Sequence, residues 1–167
     1  MLAFPMDLSG KTILVTGASG ALGSELTNLL SSKGAKVLGT ATNNESAGAI
    51  PAKAEVRLLL DYQEPDSIQT LTDYLVAASQ VDGIINASGV VAFGPVSELT
   101  VETSKRLTAV NSQGPIQLIS QLFGKLKESS EAGKEPFVLN ITGVVAETPM
   151  MGMAAYCGSK TAVHGFL

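Results

Sequence analysis

The stretch Thr12-Ile13-Leu14-Val15-Thr16-Gly17-Ala18-Ser19-Gly20-Ala21-Leu22-Gly23 decides how this chain is read. A short β-branched and aliphatic run passes through a glycine-rich turn into a segment of helical period. Over residues 21–33 that segment places Leu22, Leu26, Leu29 and Leu30 on one face. Glycines at such a turn let the backbone bend tightly and approach a pyrophosphate without a Cβ in the way. The N–H groups and dipole of the following helix then favour the negative charge. A glycine-rich loop alone is a weak signal. Between the first strand and first helix of a β–α series, it points to a dinucleotide site.

Outward from the loop, the series continues. Residues 36–40, 56–60, 81–86 and 137–141 are short apolar runs, most without alternation, as expected of parallel strands covered on both faces. Between them lie helical segments. One opens at Pro65 and Asp66, with Ile68, Leu71, Leu75 and Val76 facing inward. Another carries Ile116, Leu118, Ile119, Leu122, Phe123 and Leu126. Residues 129–135 read as a polar surface loop, and a last helix starts near Ala154 and runs to Leu167. The expected fold is α/β: a doubly wound parallel sheet (a Rossmann fold) of at least five strands, forming one domain over residues 1–167. The unfinished β–α pattern implies a domain incomplete at the C-terminus, without a substrate-binding portion.

Of the 167 residues, 45% are hydrophobic and only 16% charged, which excludes a disordered chain. The net charge of −4 and the scattered basic residues leave no footprint for nucleic acid. No apolar run reaches the ~18–20 residues of a membrane span, and residues 1–12 do not read as a secretory signal. The single cysteine, Cys157, allows no intrachain disulfide and reads as a packing residue. The single histidine, His164, has no accompanying metal ligand, so no metal is expected. A cytoplasmic protein is the expectation.

The second strand ends in Thr40-Ala41-Thr42-Asn43. An Asp or Glu here would accept hydrogen bonds from the adenosine ribose of NAD and repel the 2′-phosphate of NADP; none is present. NADP(H) is therefore expected over NAD(H). No arginine lies nearby in the sequence, leaving Thr40, Thr42 and Asn43 to offer neutral hydrogen bonds. Further on, Tyr156 and Lys160 stand at i and i+4 on one helix face. A neighbouring ammonium favours the phenolate and lowers a phenol's pKa from about 10. Such a pair can protonate a carbonyl oxygen, or deprotonate an alcohol in reverse.

With these motifs, the whole chain resembles the short-chain dehydrogenase/reductase family, particularly its β-ketoacyl carrier-protein reductases. Residues 34–42, Gly-Ala-Lys-Val-Leu-Gly-Thr-Ala-Thr, look very like the corresponding stretch there. The resemblance implies an oxidoreductase that moves hydride between a nicotinamide cofactor and a small carbonyl or alcohol substrate. Gly17, Ser19, Gly20, Ala21, Leu22 and Gly23 would hold the pyrophosphate, with Thr40 and Thr42 beside the ribose. Asp61, with Tyr62 next to it, would meet the adenine. Asn86-Ala87-Ser88-Gly89 is similar to the family's Asn-Asn-Ala-Gly motif, which lines the cofactor. Asn111 would help hold a proton-relaying water, Tyr156 would be the acid/base, and Lys160 would bind the nicotinamide ribose. Homodimers or homotetramers would pack through the helices around residues 112–127 and 154–167.

Two positions depart from the family pattern. Ala21 stands where the loop's middle glycine is usual, and Gly20 offers a compensating turn. Gly143 stands thirteen residues before Tyr156, where the family has its catalytic serine. Thr142 is adjacent, and can substitute only if the strand end bends. Loss of such a donor typically costs ~10²–10³ in rate. The alternative function is therefore a catalytically weak or inactive dinucleotide-binding homologue with an interaction role. Met150, Met151 and Met153 either line an apolar pocket or fill the core.

Overall fold

The computed structural model describes residues 6–64, 66–78 and 80–166. Among the described residues there are five strands: β1 (Thr12–Thr16), β2 (Lys36–Ala41), β3 (Val56–Leu59), β4 (Gly83–Asn86) and β5 (Phe137–Asn140). They pair in parallel in the order β3-β2-β1-β4-β5, the doubly wound sheet that the β–α alternation predicts. The helices are α1 (Ala21–Ser32), α2 (Asn44–Ala47), α3 (Ser67–Ala78), α4 (Val101–Thr108), α5 (Gly114–Glu131) and α6 (Ala154–His164). A π-helical turn, Ala109–Gln113, joins α4 to α5.

Strand geometry explains why the central runs are apolar throughout. Successive side chains point to opposite faces, and both faces are covered. On one side Leu14, Leu38 and Ile84 pack with Leu71 and Leu75 of α3 and Leu118 and Leu122 of α5. On the other, Ile13, Val15, Val37 and Ile85 pack with Leu30 of α1 and with Ile50. β3 and β5 lie at the two sides of the described sheet, and there Leu59 and Leu139 are exposed. The order reverses between β1 and β4, so the crevice at their carboxyl ends is the fold's natural ligand position.

At the opposite end of β4 the buried Asp82 fastens three segments together. It accepts from Ser129 Oγ at 2.7 Å, from the Thr12 N–H at 2.8 Å and from Lys134 Nζ at 2.9 Å. Burial alone would raise its pKa, but these donors hold it below the usual carboxylate value.

Several expectations about helix faces and ends are corrected. The buried side of α1 is Gly23, Thr27 and Leu30, while Leu22 and Leu29 are exposed. Gly23 must press on the turn before it, and that contact sets the helix rotation. Val76 of α3 and Phe123 of α5 also face outward. Residues 129–131 belong to α5 rather than to a loop, and Ser129 is fully buried against Asp82. The helix opened by Asp66 begins at Ser67; the expected Pro65 lies outside the described residues. α6 ends at His164, with Gly165 as its C-cap, short of the expected Leu167, which also lies outside them.

Candidate active site

β1 delivers Thr16 and Gly17 to the crevice. Gly17 has φ +65°, and a Cβ on it would lie 3.0 Å from Ser88, so glycine is required for both conformation and space. The Gly17 N–H donates to Thr40 Oγ1 at 3.3 Å and the Ala18 N–H to the Thr40 carbonyl at 2.8 Å, which tie the turn to β2. The Ser88 N–H donates to Thr16 Oγ1 at 3.2 Å and ties it to the segment after β4. A Cβ on Gly23 would fall 2.1 Å from the Gly17 carbonyl oxygen. α1 therefore rests directly on the turn. Its N-cap, Gly20, makes no side-chain cap, and no acid occupies the first turn. Donors left uncapped at a helix start suit an anion. Ala21 is the exposed first residue of α1.

These elements open onto a cavity of about 320 Å³ bounded by Gly17, Ser19, Gly20, Thr42, Asp61 and Ser88, with Ala87 and Gly89 further along. Most of the residues expected to meet a dinucleotide thus share one wall. Tyr62 also lines the cavity, but its ring packs on Gly114 and belongs to the core. Its buried hydroxyl has no partner among the described residues, and burial pushes its pKa up. Two expectations about the end of β2 are corrected. Thr40 is buried and supports the loop instead of facing a ribose. Asn43 uses its side chain to cap α2, accepting from the Ser46 N–H at 2.9 Å. Of the three neutral groups expected there, only Thr42 lines the cavity. Arg106 of α4 lines it too.

At the other end of the crevice, a Cβ on Gly89 would lie 3.2 Å from Lys160 Nζ and 3.5 Å from Asn111 Oδ1. The loop after β4, the π-helical turn and α6 therefore meet at one point. Asn111 is buried, and its carboxamide accepts from the Val90 N–H at 2.9 Å and donates to the Val90 carbonyl at 2.8 Å. It also donates to Ser159 Oγ at 3.0 Å, and Ser159 donates to the Tyr156 carbonyl at 2.7 Å. Lys160 is 6% exposed and donates to the Ile141 carbonyl at 2.9 Å. Burial pushes its ammonium below the ordinary lysine value. Tyr156 lies one turn earlier on α6, half-buried against Val145, Met153 and Cys157.

No sequence signal pointed to Ser159 or to Asn140, whose carboxamide accepts from Asn86 Nδ2 at 2.7 Å across the β4–β5 ladder. Nothing in a lone serine at i+3 from a tyrosine marks it as a bracket for the helix. Asn86 is buried in that pair, beneath the cavity wall.

Gly143 has φ +84° and ψ 165°, a region that only glycine readily occupies. The strand ends at Asn140, so the chain bends at Thr142–Gly143 before the 3-10 turn Val144–Ala146. Of the methionines, Met153 is buried beside Tyr156, whereas Met150 and Met151 are exposed. Among the described residues no group of His, Cys, Asp and Glu could hold a metal, and no helix is long and apolar enough to cross a membrane.

The family profile described as short chain dehydrogenase matches residues 11–167. The chain belongs to the short-chain dehydrogenase family. Among curated relatives it is 28% identical to D-threitol dehydrogenase of Mycolicibacterium smegmatis, over 97% of this chain and 64% of that protein. It is 29% identical to a 3-oxoacyl-[acyl-carrier-protein] reductase of Haemophilus influenzae, over 95% of this chain and 66% of the relative. The chain thus spans somewhat less than two-thirds of these relatives' length. Among solved structures, a metagenomic short-chain oxidoreductase in complex with NADP superposes with a TM-score of 0.83. The identity is 29%, covering 95% of this chain and 74% of that one.

Proposed function

We propose that this short-chain dehydrogenase family member is an NADP(H)-preferring oxidoreductase acting on a small carbonyl or alcohol substrate. The observation that carries the reading is the meeting of Gly89, Asn111 and buried Lys160 at one end of the cavity that the uncapped helix start opens at the other. Gly17, Ser19, Gly20, Ala21 and Leu22 would hold the pyrophosphate, with Gly23 fixing the turn. Asp61 and Thr42 would meet the adenosine, and Arg106 adds a cation to that wall, which favours a 2′-phosphate. A nicotinamide bound along this wall supplies or accepts the hydride.

The remaining work falls to the chain's own side chains. Tyr156 protonates the carbonyl oxygen in reduction and takes the alcohol proton in oxidation. Lys160, held in a low-dielectric setting, stabilises the phenolate and anchors the nicotinamide ribose. Asn111 fixes the loop wall through Val90 and the helix through Ser159. Thr142 supplies the hydroxyl that the family carries one residue later. Homodimers or homotetramers would pair through α5 and α6, and Phe123 of α5 is exposed.

The test is titration with NADPH and NADH, then turnover on ketones and alcohols. Tighter binding of NADPH, with turnover cut about 10²–10⁴-fold by Tyr156→Phe, is the expected result. Binding without any turnover supports the second reading, a dinucleotide-binding homologue, which Gly143 at the serine position favours. Binding of neither cofactor overturns both.

A further inference from the structure

Two consecutive residues of α6 hold the bend that leads from β5 toward that helix. Lys160 Nζ donates to the Ile141 carbonyl at 2.9 Å, and Thr161 Oγ1 donates to the Ala146 carbonyl at 3.0 Å. Thr142 and Gly143 lie between these two anchors. The second anchor fills a gap in the chain's own bonding. Ala146 is buried and ends the 3-10 turn Val144–Ala146, so its carbonyl needs a partner. Continued i→i+3 bonding would draw that partner from residue 149, but Pro149 has no N–H. Among the described residues no backbone N–H reaches this carbonyl, and the Thr161 hydroxyl takes it. The hydroxyl also lies 3.0 Å from the Cys157 carbonyl, an acceptor that i→i−4 helix bonding can satisfy without it. Val145 of the same turn packs in one cluster with Met153, Tyr156 and Cys157.

From this bracing we infer, resting on the oxidoreductase reading above, that Thr161 is a positioning residue for the reaction. By holding the Ala146 carbonyl it fixes where the Thr142 hydroxyl stands relative to Tyr156. In that reading both groups meet one substrate oxygen, so their separation must be set by something rigid. Tyr156 and Thr161 belong to one helix, which supplies the rigidity. A bend anchored only at Ile141 could swing at Gly143, around which space is open: a Cβ there would meet only Val145 Cγ2, at 4.0 Å. A displacement of about 1 Å in a reacting group can lower a rate by about 10²-fold. Thr161 acts through the turn rather than on the substrate.

The experiment is a double-mutant cycle on the whole chain, with NADPH and the ketone that the unaltered chain reduces fastest. Thr161→Val keeps the shape of the side chain and removes the hydroxyl, whereas Thr161→Ser keeps the hydroxyl. Thr161→Val should lower kcat by about two- to tenfold, the range for one hydrogen bond, while the NADPH dissociation constant stays unchanged. Thr161→Ser should retain the kcat of the unaltered chain. Thr142→Val should itself lower kcat by about 10²–10³-fold, and adding Thr161→Val to it should bring no further loss. An equal loss in both backgrounds marks a merely structural role and overturns the proposal. So does an unchanged kcat in Thr161→Val. Amide hydrogen exchange on the cofactor-free chain reads the brace without turnover. The N–H groups of Ala146, Glu147 and Thr148, bonded within the turn, should exchange faster in Thr161→Val and not in Thr161→Ser; unchanged exchange in Thr161→Val overturns the proposal. Cofactor titration and turnover of the unaltered chain come first: failure there defeats the oxidoreductase reading and this inference with it, whereas turnover indifferent to Thr161→Val defeats only the inference.

Discussion

The two strand-to-helix passages that frame the crevice begin alike and are built differently. Each opens with a threonine followed by a glycine of positive φ: Thr16-Gly17 at +65° and Thr142-Gly143 at +84°. At the first, the glycine is wedged against Ser88, and its carbonyl is overlaid by Gly23. At the second, a Cβ would meet only Val145 Cγ2, at 4.0 Å. The first glycine answers a demand for space and conformation, the second for conformation alone. A close-packed turn defines a cradle for one ligand. An open one only re-aims the chain, leaving the chemistry to the helix that follows.

The sharpest way to separate the passages is Tyr156→Phe. It should reduce kcat by about 10²–10⁴-fold while the cofactor dissociation constant stays unchanged. A matching loss of cofactor affinity, by calorimetric titration, would break the division of labour. Gly23→Ala attacks the other passage. Its methyl group collides with the Gly17 carbonyl, so stability should fall by about 1–3 kcal/mol, and cofactor affinity by about tenfold or more. Denaturant unfolding and titration would check both.

Gly143→Ser restores the family's residue in type and still should fail to restore its function. The φ, ψ pair there costs a serine about 1–3 kcal/mol, and relief of that strain moves the hydroxyl off target. Lower stability, undiminished cofactor binding and no gain in turnover are expected; a gain would show that the turn relaxes freely. The smallest effect concerns Lys160. Its folded pKa is lowered, so between that value and 10.5 the unfolded chain binds more protons than the folded one, and stability rises with pH. Lys160→Met should remove that slope and raise Tm near neutrality by about 2 °C or more, while abolishing turnover. A Tm that falls would mean that the bond to Ile141 outweighs the cost of burial.

The fold was legible because parallel strands covered on both faces leave unbroken apolar runs. β1 is read to the residue, and β2 and β5 to within one. Helix rotation was not, because the apolar stripe of α1 includes Leu22 and Leu29, which the fold leaves outside. What turns α1 is a contact between backbone atoms at Gly23, and no side-chain periodicity encodes it. Gly17, Ser19 and Gly20 share one stretch of the cavity wall because they lie within four residues of each other in the chain. Arg106 and Ser159 were invisible because only the folded chain brings Arg106 of α4 to the cavity wall and Ser159 of the tyrosine helix against Asn111. Thr40 misled for a related reason: a threonine at a strand end suits a ligand or a neighbouring loop equally well, and here the loop takes it.

One contact bears on how such a protein can diversify. Asn111 grips Val90 by both its N–H and its carbonyl, as the edge of a neighbouring strand would. The segment after β4 is thereby fastened at its root by a side chain from elsewhere in the fold. Residues beyond that fastening can change in length and composition without loosening the wall at Gly89. Mutation can thus rewrite the exposed stretch at Phe93 and Val96 while the inherited machinery behind it stays in register.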